Sequence, residues 1–317
     1  MTLRAGIIGC GGIAHKHVAG YQANNIEITA VADINRDAVN SMAEQHKAAA
    51  FASAEELIWS GKVDIVSICT PPVAHEEDAV KALQRGIHVL LEKPAASSVD
   101  GARSIKAAAD KSNAKLMLAF RHRFIPAIVK MKELIASGQL GQLIFMHNTF
   151  CGPAFFMKDK WFSKKAVAGG GSMLDTSSHS VDLFRFLVGE VAEQHAVCHT
   201  HLDGTDVEDA AIITLKSVDG VLGSLTSAWV AGAGEADILI MGQNGKLEYT
   251  YFGDLVFHKR GEKEAEKVAL SEFSGGFNEQ IASFINAINT GDEPEVTAFD
   301  GLKNLEIITA CYKENGK

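Results

Sequence analysis

The apolar run Leu3-Arg4-Ala5-Gly6-Ile7-Ile8 breaks at Gly9-Cys10-Gly11-Gly12 and resumes with helical spacing through Ile13-Ala14-His15. That is a buried strand, a tight turn and a helix start. The small residues follow the pattern G-x-G-x-x-A at Gly9, Gly11 and Ala14. Gly9 permits the tight turn, Gly11 lets a pyrophosphate approach the backbone, and Ala14 lets the helix pack closely on the strand. The helix N-terminus adds unpaired N–H groups and a partial positive charge suited to phosphates. Glycine-rich turns are common, so context has to decide. Residues 26–32 read as a second strand and end at Asp33, roughly 20 residues past the turn, where an acid that binds ribose hydroxyls belongs. Gly9, Gly11, Gly12, Ile13 and Asp33 are therefore the candidate contacts to a dinucleotide.

The first half continues as alternating helix and strand. Residues 37–46 read as a helix and 48–52 as a short strand. Ser53 with Glu56 forms a capping box that opens a helix at residue 54. The β-branched run 63–69 has the composition of a strand covered on both faces, and Thr70-Pro71-Pro72 forces a turn after it. Residues 74–85 are helical, with Gly86 at the C′ position. A strand over 87–91 ends at Glu92-Lys93-Pro94, and a helix over 99–111 and a strand over 115–119 complete the set. Such alternation implies a doubly wound parallel sheet, which binds its ligand beyond the carboxyl ends of the strands. Thr70, Pro71, His75, Glu92 and Lys93 fall at those ends with the glycine turn and Asp33. A lysine after a buried strand is ordinarily a solvated loop charge. On the same rim as the phosphate turn, Lys93 is a candidate for the reaction centre.

In the second half Pro126 opens a helix, residues 142–150 read as a strand, and a loop with Trp161 leads to Gly169-Gly170-Gly171. A helix follows in which Asp175, His179 and Asp182 recur at i, i+4 and i+7 and share a face. The glycine triplet implies that something approaches this helix start closely, which favours Asp175 and His179 as functional. Asp182 reads as a solvent-facing carboxylate. Strands over 191–201, 210–216, 221–229, 236–241, 246–251 and 255–259 follow, separated by turn signals such as Asp219-Gly220 and Asn244-Gly245. They form an open, mostly antiparallel sheet with helices on one face. Helices over 278–289 and 299–312 close the chain.

The 317 residues suffice for two domains, divided as 1–121 for the dinucleotide and 122–317 for substrate binding and oligomerisation. A net charge of −9 argues against a nucleic-acid partner. No apolar run has the length of a membrane span, so no membrane partner is expected. Five scattered cysteines without C-x-x-C spacing point to a reducing, cytoplasmic setting. His195, His199 and His201 lack the carboxylate or cysteine that would complete a ligand set, so no metal is expected. Cys10 reads as a packing residue, and His15 and His17 as surface or cofactor-adjacent groups.

Together these pieces resemble the glucose–fructose oxidoreductase, inositol dehydrogenase and rhizopine-catabolism (Gfo/Idh/MocA) family. The resemblance rests on the glycine turn, Thr70-Pro71-Pro72 with His75, Glu92-Lys93-Pro94, and the glycine triplet with Asp175, His179 and Asp182. It implies a nicotinamide-dependent dehydrogenase or reductase acting on a secondary alcohol of a sugar, polyol or inositol. Catalytic roles fall to Lys93, Asp175 and His179, and substrate binding to Arg123 and Trp161. A homodimer or homotetramer formed through the C-terminal sheet is also implied. Asp33 favours NAD over NADP, with Arg36 working the other way. Arg121 and His122, in Phe120-Arg121-His122-Arg123-Phe124, depart from the inositol enzymes. Two other functions use such a scaffold: a glycoside hydrolase that uses NAD transiently, and a non-catalytic sugar-sensing regulator.

Overall fold

The computed structural model describes residues 3–272 and 275–316. The chain divides into two compact units, Met1–Arg121 with Gly275–Leu305, and His122–Ser274 with Glu306–Lys317.

The first unit is built on a six-stranded parallel sheet: β1 (Arg4–Ile8), β2 (Glu27–Ala32), β3 (Ala49–Phe51), β4 (Ile65–Ile68), β5 (His88–Leu91) and β6 (Leu116–Leu118), in the order β3-β2-β1-β4-β5-β6. Every residue of β4 is buried, as a strand covered on both faces requires. The crossover helices start where the sequence signals them. Ser53 Oγ accepts from the Glu56 amide, although the Glu56 carboxylate returns to Ala52 N rather than to Ser53. Gly86 sits at φ +72° just past the helix Pro72–Gln84. Late in the chain, the helix Phe277–Thr290 packs on the helix Gly12–Ala23 so closely that a Cβ on Gly20 would lie 2.5 Å from Ile281.

The second unit carries an eight-stranded sheet of β7 (Leu143–Pro153), β8 (Val191–His199), β9 (Ala210–Ser217), β10 (Leu222–Ala228), β11 (Val230–Gly242), β12 (Gly245–Thr250), β13 (Leu255–Lys259) and β14 (Glu266–Val268), ordered β14-β13-β12-β11-β7-β10-β9-β8. All pairs are antiparallel except β7 with β10. Strand β14 carries no apolar alternation and went unread in the sequence. One face is covered: Ala211, Ile213, Leu215 and Leu225 are buried, and Gly223 lets Phe184 of the helix Ser177–Leu187 sit where a Cβ would be. The other face keeps Ile212 and Leu222 about half exposed.

Candidate active site

The glycine turn has the geometry that a dinucleotide needs. Gly9 adopts φ +89°, and a Cβ there would lie 2.8 Å from the backbone of Cys69 and Thr70, so no other residue fits. At Gly11 and Gly12 a Cβ would meet nothing within 4 Å. The helix Gly12–Ala23 begins without a side-chain cap and without an acidic residue in its first turn. Its first N–H groups are thus left for an anion. Ile13 is partly exposed at the same turn. Asp33 takes the Cys10 amide on Oδ2 at 2.6 Å and the Asn35 amide on Oδ1 at 2.7 Å. Each oxygen keeps a lone pair for a further donor. Across the rim, Thr70 Oγ1 is buried without a hydrogen-bond partner among the described residues. These groups fit a dinucleotide.

The remaining rim residues are held from below. His75 is fully buried, with Nε2 2.7 Å from the Thr70 carbonyl and Nδ1 2.9 Å from that of Pro94. Burial holds its pKa below the ordinary value against the pull of those carbonyls, and a neutral ring donates to only one of them. His75 therefore ties the loop after β4 to the loop after β5. Glu92 is 8% exposed, accepts from the Lys93 amide at 3.2 Å and meets His17 Nε2 at 2.8 Å. His17 is wholly buried, which removes the surface half of its reading as a surface or cofactor-adjacent group. Its Nδ1 lies 2.9 Å from Ser67 Oγ, which Tyr21 also contacts at 3.0 Å. Burial opposes charge on His17, but Cys69 and the Glu92 carboxylate raise its pKa to about 10. Lys93 stands half-buried directly after this charged pair.

In the second unit the helical stretch after the glycine triplet is interrupted at Thr176, giving Ser172–Asp175 and Ser177–Leu187. From 171 to 185 every residue is buried except Asp175, Thr176 and His179, which are partly buried. The sequence implies one continuous helix with Asp175 and His179 on a shared face; the structure breaks it at Thr176, and burial of the rest of the stretch singles out these three residues. Thr176 Oγ1 accepts from Trp229 Nε1 at 2.9 Å. His179 lies flat on His122, ring centroids 4.1 Å apart and 9° from parallel.

What approaches the glycine triplet is the chain itself. A Cβ on Gly171 would lie 1.8 Å from the Glu208 carbonyl oxygen, and one on Gly170 would lie 2.2 Å from the Tyr312 hydroxyl. Glu208 Oε1 accepts from the amides of Gly171 and Met173 and from Tyr312 OH at 2.7 Å. A buried carboxylate thus closes the helix N-terminus from within. The triplet serves packing that positions Asp175 and His179.

Asp182 is not solvent-facing. It is 1% exposed and pairs with Arg123, Nε to Oδ2 at 2.9 Å and Nη2 to Oδ1 at 2.6 Å. Asp182 lies three residues beyond His179, just under one helical turn on, where the covering element supplies an arginine. Arg123 is 5% exposed, with its guanidinium committed to that carboxylate. Trp161 is 37% exposed and stacks on Phe162, centroids 3.8 Å apart. Sequence reasoning missed His122, Tyr251, Glu208 and Tyr312, whose partners lie far along the chain. The departure at His122 was the one signal that pointed to any of them. Among the described residues no three His, Cys, Asp or Glu side chains gather to hold a metal ion, and no helix is long and apolar enough to cross a membrane.

Comparison with known proteins agrees with this architecture. Residues 3–120 match the model of an oxidoreductase family with an NAD-binding Rossmann fold, and residues 128–248 match the GFO/IDH/MocA C-terminal domain. The inositol 2-dehydrogenase of Rubrobacter xylanophilus is 26% identical, the alignment spanning 98% of this chain and 90% of that protein. The D-glucoside 3-dehydrogenase of Escherichia coli is 28% identical across 98% of this chain and 82% of its own length. A solved structure of levoglucosan dehydrogenase with NADH and levoglucosan has the same fold, with a TM-score of 0.92 at 21% identity, covering 100% of this chain and 98% of that one. With both halves matched in order, the chain belongs to the GFO/IDH/MocA family of oxidoreductases.

Proposed function

We propose that this protein is an NAD-dependent dehydrogenase that oxidises a secondary alcohol of a sugar, polyol or inositol, or reduces the matching ketone. The observation that carries the reading is that Asp175 and His179, with Thr176, are the partly exposed residues of an otherwise buried stretch. It leaves one acid and one base partly accessible, on either side of the break at Thr176. The names of the relatives, dehydrogenases of inositol and glucosides, support the substrate class.

The residues that would hold the cofactor are Gly9, Gly11, Gly12 and Ile13 at the pyrophosphate, Asp33 at the adenosine ribose, and Thr70, Pro71 and Lys93 along the rim. Glu92 and His75 support that rim. Bound NAD supplies the acceptor for the two electrons and the hydrogen leaving the alcohol carbon. His179 takes the hydroxyl proton, a task suited to imidazole near neutral pH. Lys93, on the rim of the first unit, has the donor and the charge to stabilise an oxygen that becomes negative. Asp175 orients the imidazole or binds a neighbouring substrate hydroxyl. Arg123 supports the helix through Asp182, and Trp161 offers a ring for the substrate. The half-open sheet of the second unit joins copies of the chain into a homo-oligomer.

The test is absorbance at 340 nm with NAD or NADP and a panel of inositols, glucosides, free sugars and sugar phosphates. Net NADH formation with a member of the panel supports the reading. Glycoside cleavage without net NADH would replace it with transient cofactor use. Tight sugar binding with no turnover by the wild type would point to a sensor.

A further inference from the structure

The departure at position 122 has a structural use. His122 is 4% exposed and lies against the partly buried His179, ring on ring. Three contacts fix the inner ring. Its Nδ1 is 3.2 Å from the Tyr251 hydroxyl, the Phe150 ring of β7 is 5.3 Å away, and the Tyr251 ring is 5.4 Å away. Phe150 and Tyr251 brace each other edge to face at 4.8 Å. The Tyr251 amide bonds the Ala236 carbonyl of β11, anchoring the assembly to two strands of the sheet.

An apolar side chain would fill this space without the cost of burying an imidazole. A planar ring with one polar handle does more. The hydroxyl of Tyr251 sets the rotation of the inner ring, and the flat face of that ring sets the plane of the outer one. A base must be held within a narrow range of orientation to meet its proton, and the orientation of an imidazole is set by two side-chain torsions.

We propose that His122, held by Tyr251, is a positioning residue that fixes the ring plane of His179. This rests on the reading of His179 as the base, and the experiment separates the two. The full chain is labelled with ¹³C-histidine, and the ring signal of His179 is assigned by its loss in His179→Gln. Stacking places the His179 Cε1–H upfield in the wild type. His122→Ala moves it downfield and broadens it, His122→Phe keeps it upfield, and Tyr251→Phe, the mildest change, broadens it alone. An unmoved His179 signal in His122→Ala overturns the proposal whatever the activity.

The kinetic arm uses NAD and the fastest substrate of the panel above. His122→Ala lowers kcat by roughly tenfold or more, the scale of a misplaced reacting group, with KM kept within about twofold. His122→Phe recovers most of that loss. In a His179→Ala background His122→Ala costs nothing further, because the ring it positions is gone. Losses that multiply instead would make His122 an independent structural residue and overturn the proposal. A His179→Ala enzyme of normal turnover would refute the base assignment, while the ring signal still decides whether the clamp exists.

Discussion

Arg123 grips Asp182 at two points, 2.9 and 2.6 Å, with the pair only 5% and 1% exposed. The guanidinium also lies over the Phe186 ring at 5.1 Å. This ion pair joins the turn that opens the second unit to the helix bearing His179. Removing one partner strands the other charge in a dry interior. Asp182→Asn keeps the volume and cancels the charge, and it is expected to destabilise by about 3–5 kcal/mol, a large share of a domain's stability. Chemical denaturation measures it. A change below about 1 kcal/mol would mean that water reaches the pair and that it does not hold the helix.

The reaction centre is tested by His179→Ala and Lys93→Ala. Each removes a group argued to act chiefly in the transition state, so turnover falls by about a hundredfold or more. NAD affinity, read by quenching of tryptophan fluorescence, stays near the wild-type value for His179→Ala and weakens modestly for Lys93→Ala. The double mutant reports whether the two losses are independent: they multiply if so, and fall short of multiplying if the groups act as a unit. Retention of turnover by His179→Ala would pass the base role to Asp175 or Lys93.

Much of this was legible because period and punctuation are local. The six parallel strands announce themselves as short apolar runs, and Gly9, Ser53 and Gly86 mark turn and caps by chemistry that neighbours cannot override. The i, i+4 spacing of Asp175 and His179 was legible for the same reason. What was hidden depends on distant partners. Asp182 read as solvated because Arg123 stands 59 positions away. The glycine triplet suggested a visitor because Glu208 and Tyr312 are remote in sequence. His17 read as surface or cofactor-adjacent, its burial hidden, because the acid that charges it, Glu92, is 75 positions on.

That last pair makes a pH prediction. The folded-state pKa of His17, about 10, lies above its ordinary 6.5, while that of Glu92 is lowered despite burial, by His17 and by Lys93. A raised imidazole value means that its contribution is full below about pH 6.5 and drains away as pH rises toward 10. His17→Gln should cost about 3 kcal/mol at pH 7, and the gap from wild type should narrow as pH approaches 10. Urea midpoints at pH 6.5, 8 and 10 provide the comparison. A gap that stays constant across that range would mean the ring is neutral throughout.

Cofactor choice turns on Asp33. With Oδ2 fixed by Cys10 and Oδ1 by Asn35, its carboxylate is set to accept from ribose hydroxyls and to repel a 2′-phosphate. NAD should bind at least tenfold tighter than NADP, about 1.4 kcal/mol. Asp33→Ser should narrow that ratio, with the exposed Arg36 then free to meet the phosphate. Calorimetric titration of both cofactors decides it. Equal affinities in the wild type would remove Asp33 from the discriminating role.

The open face of the second sheet yields the last prediction, through strand register. Leu222 of β10 stands opposite Phe145 of β7, which stands opposite Met241 of β11. Four residues further along β10, Thr226 stands opposite Ile212 of β9, and Ile212 faces Val197 of β8. Even spacing puts both rows on the same face. There Val197 is 74% exposed, Leu222 52%, Ile212 49% and Met241 38%. Isolated exposed aliphatics need no explanation, but rows in register across one sheet face form a patch of the kind that marks an interface. A second copy presenting the same rows about a two-fold axis would match it, since such an interface is self-complementary. Multi-angle light scattering at micromolar concentration should therefore give a multiple of 33.9 kDa. Ile212→Lys with Leu222→Lys, both on solvent-facing strand positions, should yield a folded chain of half that mass or less. A wild-type monomer would defeat the prediction. An oligomer unmoved by the two lysines would place the interface elsewhere on the molecule.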